Sequence, residues 1–235
     1  MSETKYFVSF GDKRLEKSLA RIKRQAEEIA EYDNIYCWNE GNLDAGFWQK
    51  QSAFCKSTRG FGFWIFKPQI ILQVLAEMND GDLLQYSDVG CHIHKYARSR
   101  MCQYFDMVRK TQAGILAFAQ CHVEKAWTKG DLFDYFGVRN NPDITHSTQH
   151  WAGTLFVKKC DDSVELMRKW LSIYDHINLV DDSPSVSPNF GDFIEHRHDQ
   201  SCFSILCKMN KVPTIPACEH HRYPITSARD KEWTE

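Results

Sequence analysis

Three short strings carry residue types that do chemistry when a fold brings them together. The first is Ser9-Phe10-Gly11-Asp12, closing the apolar run KYFVSF over 5–10. Such a turn, opening a helix, points backbone N–H groups at a polar ligand edge. Asp12 then accepts hydrogen bonds from a base or ribose, or simply caps the helix. The second is SDVGC at 87–91, where Asp88 follows the apolar string LLQY and precedes Gly90. A carboxylate there needs a hydrogen bond or a cation to offset its burial. Gly90 admits close backbone approach or a positive φ. Mg2+ or Mn2+ on a diphosphate takes only one or two protein carboxylates, phosphate and water supplying the rest. An ordinary Asp-x-Gly turn is the competing reading. The third string is EHRHDQSCFSIL at 195–206. There Asp199 and Gln200 open a helix, behind two histidines and an arginine that favour an ionised Asp199 and gather titratable groups in one place. Residues 195–198 also read as a solvated approach to that helix.

These strings need a scaffold, and periodicity predicts one. KYFVSF reads as a strand, and Leu15, Leu19, Ile22, Ala26 and Ile29 follow at helical spacing. IYCWN at 35–39 reads as the next strand, so the chain opens like a right-handed βαβ unit of a mainly parallel sheet. A polar-aromatic segment with Phe47, Trp48 and Phe54 leads to RGFGFWIFKP at 59–68. Pro68 suits the first turn of a helix carrying Ile70, Ile71, Val74, Leu75 and Met78, ended by Asn79-Asp80-Gly81. Further strands are expected over 82–91, 114–120 and 150–159. Helices are expected over 97–110, around Val164, Met167, Trp170, Leu171 and Tyr174, and from Asp199 to Met209. The polar loop DDSPSVSPN at 181–189 reads as a mobile lid in preference to a linker. In open α/β sheets, ligands bind beyond the carboxyl ends of the strands, where all three strings fall.

Composition removes several partners. With 29 Lys+Arg against 31 Asp+Glu, the chain lacks the basic excess that nonspecific nucleic-acid binding requires. The longest clean apolar run, AGILAFA over 113–119, falls short of the ~20 residues of a spanning helix, so no transmembrane segment is expected. MSETKYFVSF lacks the basic and long apolar regions of a secretory signal, so a cytoplasmic location is expected. The nine cysteines are scattered without a CxxC pair and read as reduced, buried small hydrophobes. Cys91-His92-x-His94, Cys121-His122 and Cys218-x-His220-His221 have mixed spacing unsuited to a thiolate metal site.

YFVSFGDKRL (6–15), RGFGFWIFKP (59–68), GDLLQYSDVGC (81–91), TKGDLF (128–133), WAGTLFVKK (151–159) and HRHDQSCFSIL (196–206) stand in that order. Together they resemble a group of small bacterial and viral glycosyltransferases related to capsular-polysaccharide biosynthesis proteins. The resemblance implies the A-type (GT-A) nucleotide-sugar transferase fold: a single Rossmann-like α/β domain over 1–235, with a mainly parallel central sheet flanked by helices. It implies transfer of a sugar from a nucleoside-diphosphate-sugar donor to a hydroxyl of a glycan or polysaccharide acceptor, assisted by Mn2+ or Mg2+. The setting is the cytoplasm of a bacterium, or of the host cell for a viral chain.

Where the wider fold carries a DxD motif, this chain has Asp88 and then Gly90. Asp88 is then the acidic ligand of metal and donor, with His220 or His221 completing the metal shell. Ser9, Asp12, Arg59 and Lys67 become donor-binding residues, the last two adding fixed positive charge against the leaving diphosphate. Gly60 and Gly62 let the donor approach the backbone, and Phe61 and Phe63 pack an aromatic elbow. Trp151, Gly153 and Gln200 stand on the acceptor side, the first two shaping the sugar pocket. Asp199 is the catalytic carboxylate: a general base in an inverting reaction, a stabiliser or nucleophile in a retaining one. Asp131 in TKGDLF binds a substrate or caps a helix. A non-catalytic nucleotide-sugar or carbohydrate-binding module, favoured by Gly90, and a sugar-nucleotide hydrolase are the competing readings.

Overall fold

A strand covered by helices on each face must be apolar on both sides, and β1 (Lys5–Phe10) is buried from Tyr6 to Phe10. Tyr6, Val8 and Phe10 enter one core and Phe7 the other. The structure, a computed structural model, describes residues 3–231. The other strands are β2 (Asn34–Trp38), β3 (Leu83–Ser87), β4 (His92–Ile93), β5 (Ile115–Val123), β6 (Thr148–Lys158), β7 (Thr214–Ile215) and β8 (Ile225–Thr226). The central sheet has the order β2-β1-β3-β6-β5-β7, and β4 pairs with β8 in a separate ribbon. β1 is parallel to β2 and β3, and β5 to β7, whereas β6 runs against both neighbours. The expected α/β class, a mainly parallel sheet flanked by helices, is therefore present. The reversal of β6 is not legible beforehand, because an apolar strand reads the same in either direction.

The main helices are α1 (Glu16–Ile29), α2 (Ala45–Ser57), α3 (Phe66–Glu77), α4 (Arg98–Arg109), α5 (Asp161–Ser172) and α6 (Asp199–Met209). Ile22 of α1 and Met101 and Phe105 of α4 pack with Phe7 and Phe156 on one face. On the other, Ile70 and Val74 of α3, Trp170 of α5 and Phe203 of α6 pack with Val8 and Leu155. Helix α2 arises from the polar-aromatic segment. Only its Cys55 is buried, so no apolar stripe announces it, and Asp44 starts it by accepting from Phe47 N at 2.8 Å.

Three irregular segments shape the carboxyl end of β1 and β3. Residues 60–64 all have positive φ, from 47° at Phe63 to 81° at Gly62, and form a left-handed turn. Each non-glycine residue so placed costs about 1–2 kcal/mol. Aromatic packing offsets it: Phe61 lies against Phe10 and Trp48, and Phe63 against Phe54 and His198. A Cβ at Gly60 would stand 2.7 Å from the Trp64 ring, so this glycine makes room for Trp64. In β6, the register to β5 jumps from Leu155 to Trp151, and residues 152–154 bulge beside the end of β3. The loop over 181–189 is tied at its base. Asp131 accepts from the N–H groups of Val186 and Ser187, at 3.0 and 2.5 Å, and Gly130 N donates to Asn189 Oδ1 at 2.7 Å. Asp131 thus anchors a loop, a role its sequence context does not announce. That loop leads into α6, which shares its core with α3 and α5, so it does not bridge separate cores.

Candidate active site

The ends of β1 and β3, the β6 bulge and the left-handed turn enclose a cavity of about 820 Å³, within the roughly 300–1,000 Å³ typical of small-molecule sites. It brings together Asp12, Arg59, Lys67, Asp88, Trp151, Gly153, Asp199, Gln200, His220 and His221. Ser9 stands apart. Strand alternation puts it on the Phe7 side of β1, fully buried beneath α1. Asp12 lines the cavity and also caps the following turn, accepting from Arg14 N at 2.9 Å and pairing with Arg14 Nη2 at 2.6 Å.

Lys67 is the centre of the floor. It lies in the first turn of α3, with its side chain 4% exposed. Its Nζ stands 2.7 Å from Asp199 Oδ2 and 3.1 Å from Asp88 Oδ1. Burial alone would lower its pKa, but Asp199 and then Asp88 outweigh burial and hold the ammonium above the ordinary lysine value. Asp88 also accepts from the Tyr86 hydroxyl at 2.6 Å, and its N–H donates to Gly153 O at 2.7 Å, which locks the end of β3 to the bulge. Burial pushes the Asp199 carboxyl up, with Lys67 opposing and Asp88 adding to the rise. One ammonium stands between two carboxylates, a floor richer in hydrogen-bond acceptors than in donors and so suited to sugar hydroxyls. His198, just before Asp199, has φ 50° and ψ −120°, a conformation costing about 1–3 kcal/mol. Asp182 bonds its Nε2 at 2.8 Å and the Phe63 ring stacks on it at 5.3 Å.

The amide of Gln200 is oriented from behind. Gln149 Nε2 donates at 2.9 Å to buried Glu124, whose other oxygen pairs with Lys208 at 2.6 Å. Gln149 must therefore present its carbonyl to Gln200, whose Nε2 donates at 2.7 Å. Gln200 Oε1 remains as the acceptor this side chain offers the cavity it lines.

Trp151 is 8% exposed, and its ring stacks on His220 at 4.4 Å. It also folds over Gly153, where an added Cβ would stand 2.3 Å from the ring. Gly153 therefore makes room for Trp151 itself. Gly153→Ala is expected to displace that ring and destabilise the protein by about 1–3 kcal/mol. Thermal denaturation checks this, and an unchanged Tm would contradict the packing described.

The metal shell expected of Asp88, His220 and His221 is not assembled. Among the described residues, no group of three or more His, Cys, Asp or Glu side chains stands together to hold a metal ion. Asp88 already faces the Tyr86 hydroxyl and the Lys67 ammonium, whose fixed charge 3.1 Å away repels a second cation. His220 is stacked on Trp151, with Nδ1 beside Ser227 Oγ at 3.2 Å. With Lys67 as the counter-ion of both Asp88 and Asp199, neither carboxylate is left to a divalent ion. All nine cysteines are free.

Several residues of the site carry little or no signal in the sequence. Arg197 stands inside the string 195–206 without a role of its own there, and Arg229 has no signal at all, yet both line the cavity. Asp182 reads only as part of a polar loop. Buried His196 is a further group set by its surroundings. Its Nδ1 accepts from Lys129 N at 3.3 Å, while its Nε2 meets Leu179 O at 2.9 Å, an arrangement only the neutral ring satisfies. Burial, with His198 and Lys129 adding, pushes it well below the usual histidine range. Below about pH 6.5 the unfolded chain binds a proton that the folded one refuses, so this contribution is present above that pH and lost as pH falls. Urea denaturation between about pH 7.5 and 5.5 should show the loss, and His196→Asn should flatten it. An unaltered slope in that variant would refute the assignment.

No family description matches the sequence, and no curated protein matches it. Among solved structures, apo mouse xyloside xylosyltransferase 1 shares 11% identity over 93% of this chain and 86% of that one, with a TM-score of 0.49. The galactosyltransferase LgtC with donor and acceptor sugar analogues shares 13% over 89% and 72%, with a TM-score of 0.43. A glycosyltransferase involved in glycosylation of the major capsid of PBCV-1 shares 13% over 73% and 67%, with a TM-score of 0.39.

Proposed function

We propose that this chain is an A-type glycosyltransferase, moving a sugar from a nucleoside-diphosphate-sugar donor to a hydroxyl acceptor within one α/β domain. One observation carries the reading. A single cavity at the carboxyl ends of β1 and β3 gathers Asp12, Asp88, buried Lys67 and the Asp199-Gln200 pair. These come from four of the strings that resemble such transferases.

In this reading the sugar lies on the carboxylate floor. Lys67 holds Asp88 and Asp199 in place, so that both accept hydrogen bonds from sugar hydroxyls. The bond from sugar C1 to the diphosphate oxygen breaks, its electron pair leaving with phosphate, and the acceptor oxygen bonds C1 and loses its proton. Asp199 is a stronger base than an exposed carboxylate and takes that proton in an inverting reaction; in a retaining one its charge stabilises the cationic sugar. Gln200 Oε1 accepts from a hydroxyl of either sugar. Among the described residues no helix is long and apolar enough to cross a membrane. We place the reaction in the cytoplasm.

Thermal denaturation with UDP, GDP, dTDP and CMP tests the reading. A nucleotide at about 100 times its Kd should add roughly 2.7 kcal/mol of stability and raise Tm by several degrees. No rise with any of them would remove the transferase reading.

A further inference from the structure

We infer that the donor's diphosphate is held by three arginines, Arg59, Arg197 and Arg229, and that donor binding needs no divalent ion. The inference rests on the transferase reading and goes beyond it by assigning an anion site and its chemistry.

All three arginines line the cavity. Arg197 lays its guanidinium over the Trp127 ring at 4.3 Å, and Glu195 reaches its Nε at 3.1 Å, which leaves the two terminal nitrogens for another acceptor. Arg59 lies 5.8 Å from the Trp64 ring and meets Asp182 only at 3.5 Å, since Asp182 holds His198 more closely at 2.8 Å. Among the described residues no carboxylate pairs with Arg229. Burial pushes Arg197 below the ordinary arginine value; Glu195 opposes the fall, and the charges of Arg229 and Arg59 add to it, so the three arginines act on one another. Like charges lining one cavity call for an anion between them. Guanidiniums steadied by indole rings suit phosphate, which they bind with two parallel donors.

The floor supplies the complementary half. Asp88 and Asp199 turn acceptors rather than donors to the cavity, which does not suit phosphate, and the Lys67 ammonium already stands between them where a cation would bind. The diphosphate is thus assigned to the arginines and the sugar to the carboxylate floor. When C1–O breaks, the electron pair passes to the diphosphate, and the three guanidiniums stabilise the added negative charge. The acceptor oxygen forms the new bond to C1, and its proton goes to Asp199 or to the departing phosphate oxygen.

Calorimetric titration of UDP, GDP and dTDP into the whole chain, in EDTA and again with Mn2+, tests the inference. At least one nucleotide should bind with the same Kd in both. Arg197→Gln and Arg229→Gln should each weaken it by about tenfold, leaving affinity for the corresponding nucleoside unchanged. Arg229 is exposed, so Arg229→Gln keeps the test valid should Arg197→Gln fail to fold. Binding that requires Mn2+, or that survives both substitutions, would overturn the arginine site while leaving the transferase reading standing. Binding of no nucleotide in either condition would overturn both.

Discussion

Lys67→Met is expected to abolish sugar transfer, with kcat/KM falling by at least about 1,000-fold. The ammonium is buried and stands 2.7 Å from Asp199 and 3.1 Å from Asp88. Without it, buried Asp199 and half-buried Asp88 stand together with no counter-charge, which favours proton uptake by one of them. Breaking a buried pair in this way costs about 3–5 kcal/mol, so Tm should fall as well. A purely structural lysine would give the same Tm loss, and a second variant separates the cases. Lys67→Met combined with Asp199→Asn restores the charge balance and should regain much of the stability, yet transfer should stay lost. Activity within a few-fold of the parent in Lys67→Met, measured by donor consumption, would contradict the role of the floor.

Asp199→Asn is the second large effect. The substitution keeps the shape at the start of α6 and leaves Lys67 paired with Asp88. In the proposed reaction it removes the oxygen that takes the acceptor proton or stabilises the cationic sugar, for which a loss of about 100- to 10,000-fold in kcat is expected. Diphosphate affinity, resting on the arginines, should change less than about threefold. An unchanged kcat would take Asp199 out of the mechanism, and a matching loss of donor affinity would make it a binding residue only.

Much of the scaffold is legible in the residues. The spacing of Leu19, Ile22, Ala26 and Ile29 marks α1, and the string from Asp199 to Met209 is helical over that span. Helix α2 is not legible, because only one of its side chains is buried and the hydrophobic period is missing. The left-handed turn is half legible: two glycines among aromatics mark a special backbone, but three non-glycine residues at positive φ are stabilised only by rings brought from Phe10, Trp48, Phe54 and His198. At the site, Lys67, Asp88, Asp199 and Gln200 are visible because each opens or ends an element. Arg197 and Arg229 are not, since they come from segments that only the folded chain unites. The roles of Gly60 and Gly153 shift for the same reason, as the side chains needing their space are Trp64 and Trp151.

The fate of the donor sugar tests the transferase reading most directly. Nucleotide sugars of each base that binds would be incubated with a panel of carbohydrate alcohols, and products separated by mass. A glycosylated alcohol should form in step with free nucleoside diphosphate, and its formation should be lost in Asp199→Asn. A donor that binds and is recovered intact would mark a binding module, and free sugar that no alcohol diverts would mark a hydrolase; either result would contradict sugar transfer.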